Sequence, residues 1–452
     1  MKQRRIAALG LVLALGVGAC ADTEPETKVT RSTSPVTLAQ RDGTKTNSGG
    51  FTQPPPTMVL VDEGPGDATN PAVFDGGRTG ELAGGPYDTS LRLRWSISGG
   101  IPGRATDLVL PGATVVVVTD RAVIGINRAD GRDNWSYDLK GEHIVGSPLP
   151  AGDRVYFSTD KNRVIGLDAD NGGPRLNVEL VTGDRITAPH LSEDGLLYLG
   201  SDKGRIWRIN PQTSDAVPII TGLAVNADAQ LASNGATLFF EYSNPATPDI
   251  VRIAGLDLNT ATVDWQQALP AGFAPGVQLL HADATLVAAN RPGSNGDPHA
   301  IAGLNPTDGQ LVWNGTDTTT PDGQRLPMTS ERPLLYTEGM LIAQVGTGLA
   351  GIEILTGKQR WYTDLAPAVR PIPPARVSNA TVTTSGVVYV AITPADGTAP
   401  HIVRIQAATP GQLVNLIPAG PLEGLVADRL ILEGNGLLIA STSKTIAWLK
   451  GS

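Results

Sequence analysis

Ile301-Ala302-Gly303-Leu304-Asn305-Pro306-Thr307-Asp308-Gly309-Gln310-Leu311-Val312-Trp313 reads as the end of an apolar strand, a polar turn that closes on glycine, and an outer strand carrying an indole. Val123-Ile124-Gly125-Ile126-Asn127-Arg128-Ala129-Asp130-Gly131-Arg132-Asp133-Asn134-Trp135 is the same phrase. Trp265, Trp313 and Trp361 follow one another at intervals of 48 residues. Gly131, Gly309 and Gly357 stand four residues before Trp135, Trp313 and Trp361. Glycine tolerates positive φ, so Asp130-Gly131, Asp308-Gly309 and Thr356-Gly357 can close a tight turn and leave the following indole to fill space between neighbouring sheets.

Working outward, eight strands of this kind are legible: Arg121 to Asn127, Arg163 to Asp168, Arg205 to Asn210, Val251 to Asp257, His299 to Asn305, Gly348 to Glu353, His401 to Gln406 and Thr445 to Lys450. Each follows an apolar partner, such as Thr114 to Val118, Thr285 to Ala289 or Leu437 to Ser441. Leu176, Pro218 and Val414 take the tryptophan slot in degenerate units. Self-similarity in strand-forming units with a period above about 40 residues points to propeller blades. The sequence therefore predicts an all-β chain: an eight-bladed β-propeller of four-stranded antiparallel blades over 91–452.

The two ends of the repeat region complement each other. The last unit has apolar strands but no outer strand, while Leu91-Arg92-Leu93-Arg94-Trp95-Ser96-Ile97 is an outer strand with its Trp95 in place and no inner strands before it. Joining the halves removes a free seam, so strand 91–97 is predicted to pair with 444–450.

Upstream, Lys2, Arg4 and Arg5 precede an apolar run from Ile6 to Val17 and then Val17-Gly18-Ala19-Cys20. This has the organisation of an export leader, 1–19, and is too short to span a bilayer. Residues 20–90 are rich in Thr, Pro, Gly and Ser and read as a flexible tether. Within it, Met58-Val59-Leu60-Val61 is apolar; docking on the domain and an unstructured stretch are both open. Cys20 is the only cysteine, so no intrachain disulfide forms.

Acidic residues number 44 against 35 basic ones, and no Lys/Arg run occurs. That balance disfavours nucleic acid, which needs a concentrated basic surface. No nucleophile elbow, P-loop, zincin helix or paired Cys motif is present. The five histidines, His143, His190, His281, His299 and His401, are scattered among different units, and each reads more simply as solvated or turn-stabilising than as a catalytic base.

The quoted units resemble the pyrroloquinoline-quinone-type propeller repeat over about 91–450. That superfamily contains quinoprotein dehydrogenases and also the non-enzymatic, BamB-like outer-membrane assembly lipoproteins. The sequence before Cys20 resembles a bacterial lipobox, which implies acylation of Cys20; the abundance of Ala, Gly and Pro with Arg favoured over Lys suggests a GC-rich bacterium, and similar lipoproteins occur in actinobacteria. Dehydrogenases of this type carry a vicinal disulfide and a Ca²⁺ site. The single cysteine forbids the first, and no segment gathers the six to eight oxygens that the second requires. The expectation is therefore a monomeric, non-catalytic scaffold without a cofactor or metal, held outside the cytoplasm through acylated Cys20. Its partner would be an envelope protein, a peptide or a lipid; a lipid or glycolipid carrier is the alternative.

The long polar loops of the repeat are the predicted binding face. They carry Asn244 and Asp249, then Arg291, Asn295, Asp297 and His299, then Asp396 and His401. All exceed a two-residue hairpin, and binding is the usual reason for such length, although insertion drift also produces it.

Overall fold

The computed structural model describes residues 57–60, 81–82, 91–98 and 105–451, apart from 182, 291–294, 298–299, 316–334, 346, 370–373, 384–385, 408–413, 417–424, 426, 428, 434–435 and 441–444. The described chain is all β but for one short 3-10 turn, Ala366–Val369. Its strands form a β-propeller. Seven blades are each cut from one continuous stretch, at 105–138, 144–179, 190–220, 224–268, 278–314, 335–364 and 374–416. An eighth sheet is composite, built from both ends of the chain. The expectation of an eight-bladed propeller is thereby corrected to seven blades, with a closing sheet built from both ends of the chain.

In the fifth blade the strands Gln278–Ala282, Thr285–Ala289, Ile301–Leu304 and Leu311–Asn314 lie side by side in chain order, all antiparallel. The strand pairs legible in the sequence are thus the second and third of each blade. The first strand is irregular in length, from His190–Leu191 alone in the third blade to Ile144–Ala151 in the second, and so gives no repeating signal. First strands of neighbouring blades touch one another, which places them around the axis. Second strands read loudest because each blade is covered by a neighbour on both faces, so Thr114–Thr119 is buried along its whole length. Outer strands alternate instead, as in Asp133–Asp138, where Trp135 is buried and Asp133, Asn134, Ser136 and Asp138 are exposed.

The apolar core is consequently a set of inter-blade layers. One layer joins Val116, Val118 and Trp135 of the first blade to Val155, Phe157 and Ile165 of the second. The tryptophans of the outer strands work as clasps in such layers. Four of them stand opposite a glycine on their own blade: Gly125 faces Trp135, Gly255 Trp265, Gly303 Trp313 and Gly351 Trp361, each beside a shift of register. A Cβ on any of these glycines would fall 2.1 to 2.4 Å from indole atoms. On the next blade, the turn glycine lies against the indole, Gly309 on Trp265 and Gly357 on Trp313, with φ of 72° and 68°. The indole N–H then donates into that blade: Trp95 to Arg128 O (2.7 Å), Trp135 to Ala169 O (2.7 Å), Trp265 to Pro306 O (3.1 Å), Trp313 to Ile354 O (2.8 Å) and Trp361 to Ala407 O (2.8 Å).

Where the slot holds Leu176, the missing volume comes from the facing blade. Trp207, on the third strand of the third blade, is fully buried in the same layer as Leu176. In that blade Trp207 pairs with Pro218 and the ladder runs without a register shift.

The ring closes as the sequence predicts. Leu91–Ser98 runs antiparallel to Thr445–Gly451, with Arg92 opposite Lys450, Trp95 opposite Trp448 and Ser98 opposite Thr445. Gly436–Ala440 and Arg429–Glu433 complete the sheet inward. Of the two alternatives for the apolar tether segment, the structure takes docking: Thr57–Leu60 adds to the outer edge of Leu91–Ser98.

Candidate interaction face

Polar side chains tie the blades together near the axis. Glu241, at the end of the apolar strand Thr237–Ser243, is buried, and its carboxylate accepts from the backbone amides of Gly276 (2.8 Å) and Val277 (2.7 Å) at the entry to the next blade and from Asn226 Nδ2 (2.9 Å). Asn379 does the equivalent with an amide: Nδ2 donates to Leu430 O (3.0 Å) and Oδ1 accepts from Leu430 N (2.7 Å). His190 Nε2 meets Ser233 Oγ at 2.9 Å, Ser158 Oγ donates to Thr187 O at 2.8 Å, and Arg429 pairs with Asp107 at 3.3 Å. Buried polar groups of this kind are affordable only when satisfied, and here their partners lie in adjacent blades, so they fix blade-to-blade register as well as position.

The predicted loops join second to third strands and share a face with the links between blades. The fifth-blade loop is anchored on the link entering that blade by buried Asn290, which follows Thr285–Ala289. Its Nδ2 donates to Gly272 O (2.9 Å) and Asp297 O (2.8 Å), its Oδ1 accepts from Ala274 N (2.9 Å), and Asp297 N donates to Gly272 O (2.7 Å). In the fourth-blade loop Asn244 Oδ1 accepts from Ala246 N (3.0 Å), and Arg252 reaches Ile250 O (3.0 Å). In the seventh-blade loop Asp396 Oδ1 accepts from the Thr398 amide (3.0 Å) and hydroxyl (2.8 Å), and these bonds hold its carboxyl below the usual carboxylate range. His401 is half-buried with Nδ1 at 3.1 Å from Ala368 O, on the link between the sixth and seventh blades.

The fourth- and fifth-blade loops are therefore neighbours, whereas the seventh-blade loop stands apart, with the sixth blade between. Asp249, Asn295, Asp297 and Asp396 are exposed, Asn244 is half-buried, and the apolar Ile250 beside Asp249 is 41% exposed. Arg291 and His299 lie outside the described residues, as does Cys20. What the arrangement offers is a partly acidic surface with locked bases and open tips. Among the described residues no group of three or more His, Cys, Asp or Glu is placed to hold a metal ion.

His281 sits near the axis on the first strand of the fifth blade, its ring stacked on Phe239 of the fourth at 5.7 Å between centroids. Burial pushes its pKa below the ordinary imidazole value, and the charges of Glu193 and Asp283 oppose that shift. Tyr198, desolvated and donating to Asp194 Oδ2 at 3.0 Å, has its hydroxyl pKa raised. Glu241 and Asn290 were not singled out in the sequence. The signal for Glu241 was there: an acid ending Leu238-Phe239-Phe240, in a strand with no other charge, is a buried carboxylate looking for amides.

A model of the family described as "Outer membrane protein assembly factor BamB" matches residues 88–175 and 222–448. The BamB of Alkalilimnicola ehrlichii is 29% identical over 114 residues, which are 25% of this chain and 28% of that protein. The chain thus aligns with under a third of the length of that curated relative. Among solved structures, BamB from Moraxella catarrhalis (18% identity, TM-score 0.49) is matched over 80% of this chain and 97% of its own. The designed protein Ika8 (13%, TM-score 0.51) is matched over 80% and 99%. The quinohemoprotein alcohol dehydrogenase of Comamonas testosteroni (12%, TM-score 0.51) is matched over 80% and 77%. At these identities the two structures with a TM-score of 0.51 speak for the fold alone.

Proposed function

Because the chain belongs to the family of the outer membrane protein assembly factor BamB, we propose that it is a non-catalytic β-propeller scaffold for protein assembly at the cell envelope. It is exported, acylated at Cys20 and held outside the cytoplasm on a membrane. Its partner is an envelope protein, which it contacts as a monomer through the second-to-third-strand loops of the fourth, fifth and seventh blades.

The observation that carries this reading is the way the loop face is built. Asn290 ties the base of the fifth-blade loop to three backbone groups, while Asn295 and Asp297 at its tip are exposed. A loop ordered at its root and open at its end presents a surface at little entropic cost on binding. A protein partner is favoured over a lipid because Asp107, Gln278 and Thr381 on the first strands, and Asn379 just before one of them, put polar groups around the axis, where a lipid pocket needs an apolar lining.

Replacing 244–249, 291–298 and 394–400 by short glycine-containing turns, with the ring intact by circular dichroism, should abolish copurification of cross-linked envelope proteins from membranes. Unchanged partners would refute the assignment of this face. Radiolabelled palmitate on the native chain but not on Cys20→Ala tests the anchor separately.

A further inference from the structure

Leu91–Ser98 closes the ring, yet it is not the last strand of its sheet. Thr57–Leu60 runs antiparallel along its outer side, with Thr57 opposite Ser98, Met58 opposite Ile97, Val59 opposite Ser96 and Leu60 opposite Trp95. Further along, Glu81–Leu82 lies parallel to Thr381–Thr383, the first-strand region of the seventh blade. The chain upstream of the ring therefore touches it twice, on the composite sheet and on the seventh blade. Among the described strands, each of the seven contiguous blades ends at its own fourth strand.

Leu91–Ser98 is eight residues long and contains no proline; its charges are Arg92 and Arg94. A long edge without proline leaves a row of backbone groups open to an extended segment that reaches it. Thr57-Met58-Val59-Leu60 is uncharged and contains no proline, unlike most of the Pro-, Gly- and Thr-rich stretch around it.

We propose that the outer edge of Leu91–Ser98 is a strand-accepting site and that residues 57–60 are its resident, releasable strap. Release follows from size: four residues of backbone pairing must offset both their own ordering and the closure of the chain between them and the second contact at Glu81–Leu82, so the bound and free states lie close in free energy. Release lengthens the tether only as far as that second contact and bares an edge that accepts extended segments by backbone pairing. The inference does not depend on the partner proposed above.

The test uses the full chain with Cys20→Ala, so that introduced thiols are the only ones. Val59→Cys with Ser96→Cys should join within one molecule through a short bis-maleimide, at least tenfold faster than Val59→Cys with Ser243→Cys. A fluorescent peptide of residues 55–62 should bind the chain carrying Met58→Pro and Val59→Pro at least tenfold more tightly than the unaltered chain, and should not bind the cross-linked form. Two consecutive prolines are used because alternate amides of a strand point to its partner. Cross-linking no faster than the control, or peptide binding that is equal or absent in all three forms, overturns the proposal.

Discussion

Trp95 and Trp448 stand opposite each other across the seam of the ring, one at the start of the folded chain and the other four residues from its end. Trp95 is fully buried and its indole donates to Arg128 O in the first blade, while the guanidinium of Arg128 lies 5.8 Å from the centre of the Trp448 ring. One arginine thus receives both ends of the chain, through its carbonyl and its side chain. Burial alone lowers its pKa.

Trp95→Ala should destabilise the protein by about 3–5 kcal/mol, the usual cost of emptying a buried tryptophan site. Urea unfolding at constant m-value measures it. A loss below about 1 kcal/mol would mean that the seam contributes little to stability.

Gly303→Ala places a methyl 2.3 Å from the Trp313 indole, at a backbone conformation any residue adopts. The cost, about 1–3 kcal/mol of overpacking, arises from space alone. Gly397→Ala has open space but a φ of 76°, so it should cost only the left-handed penalty of about 1–2 kcal/mol. In the double variant Gly303→Ala with Trp313→Ala the first penalty should largely vanish, and thermal melts of the four proteins check this.

Glu241→Gln replaces an acceptor of three hydrogen bonds with a group half of which is a donor, facing the amides of Gly276 and Val277. The expected loss is about 1.5–3 kcal/mol, the range for hydrogen bonds to a charged group. Hydrogen exchange should show Val277–Ala282 opening first.

His281 has its folded pKa depressed by burial, so below the unfolded value of about 6.5 the unfolded chain takes up a proton that the folded chain refuses. Stability is therefore lost as pH falls from about 6.5 towards the folded pKa. His281→Gln should remove this slope between about pH 6.5 and 5, seen as a smaller difference between denaturation midpoints at the two pH values. An unchanged slope would assign the pH response to the carboxylates.

Fold class, the tryptophan register and the closing strand were legible because they rest on strong local signals: glycine opposite indole, buried apolar runs, and an outer strand with no inner partners. The first strands escaped because their role is set by the axis they surround. Gln278–Ala282 and His190–Leu191 are short and carry polar residues that only neighbouring blades satisfy. Trp207 could not be placed from its own unit, since it fills a space left by Leu176 on another blade. The segment 57–60 was ambiguous because four apolar residues in a polar stretch become a strand only beside an edge that accepts them. Of the candidate face, loop positions could be read from length, but the anchoring role of Asn290 depends on carbonyls at Gly272 and Asp297, one of them in a different part of the chain.

The central claim is that this ring is an envelope scaffold that binds a protein through its second-to-third-strand loops. Its most direct test is photo-cross-linking in living cells from a benzoylphenylalanine placed singly at Asp249, Asn295 or Asp396, with Asp308 on the opposite face as control. The account predicts discrete adducts with the same envelope protein from Asp249 and Asn295, and none with it from Asp308. Adducts from Asp308 equal to those from Asn295, or no envelope protein captured from any loop position, would contradict it.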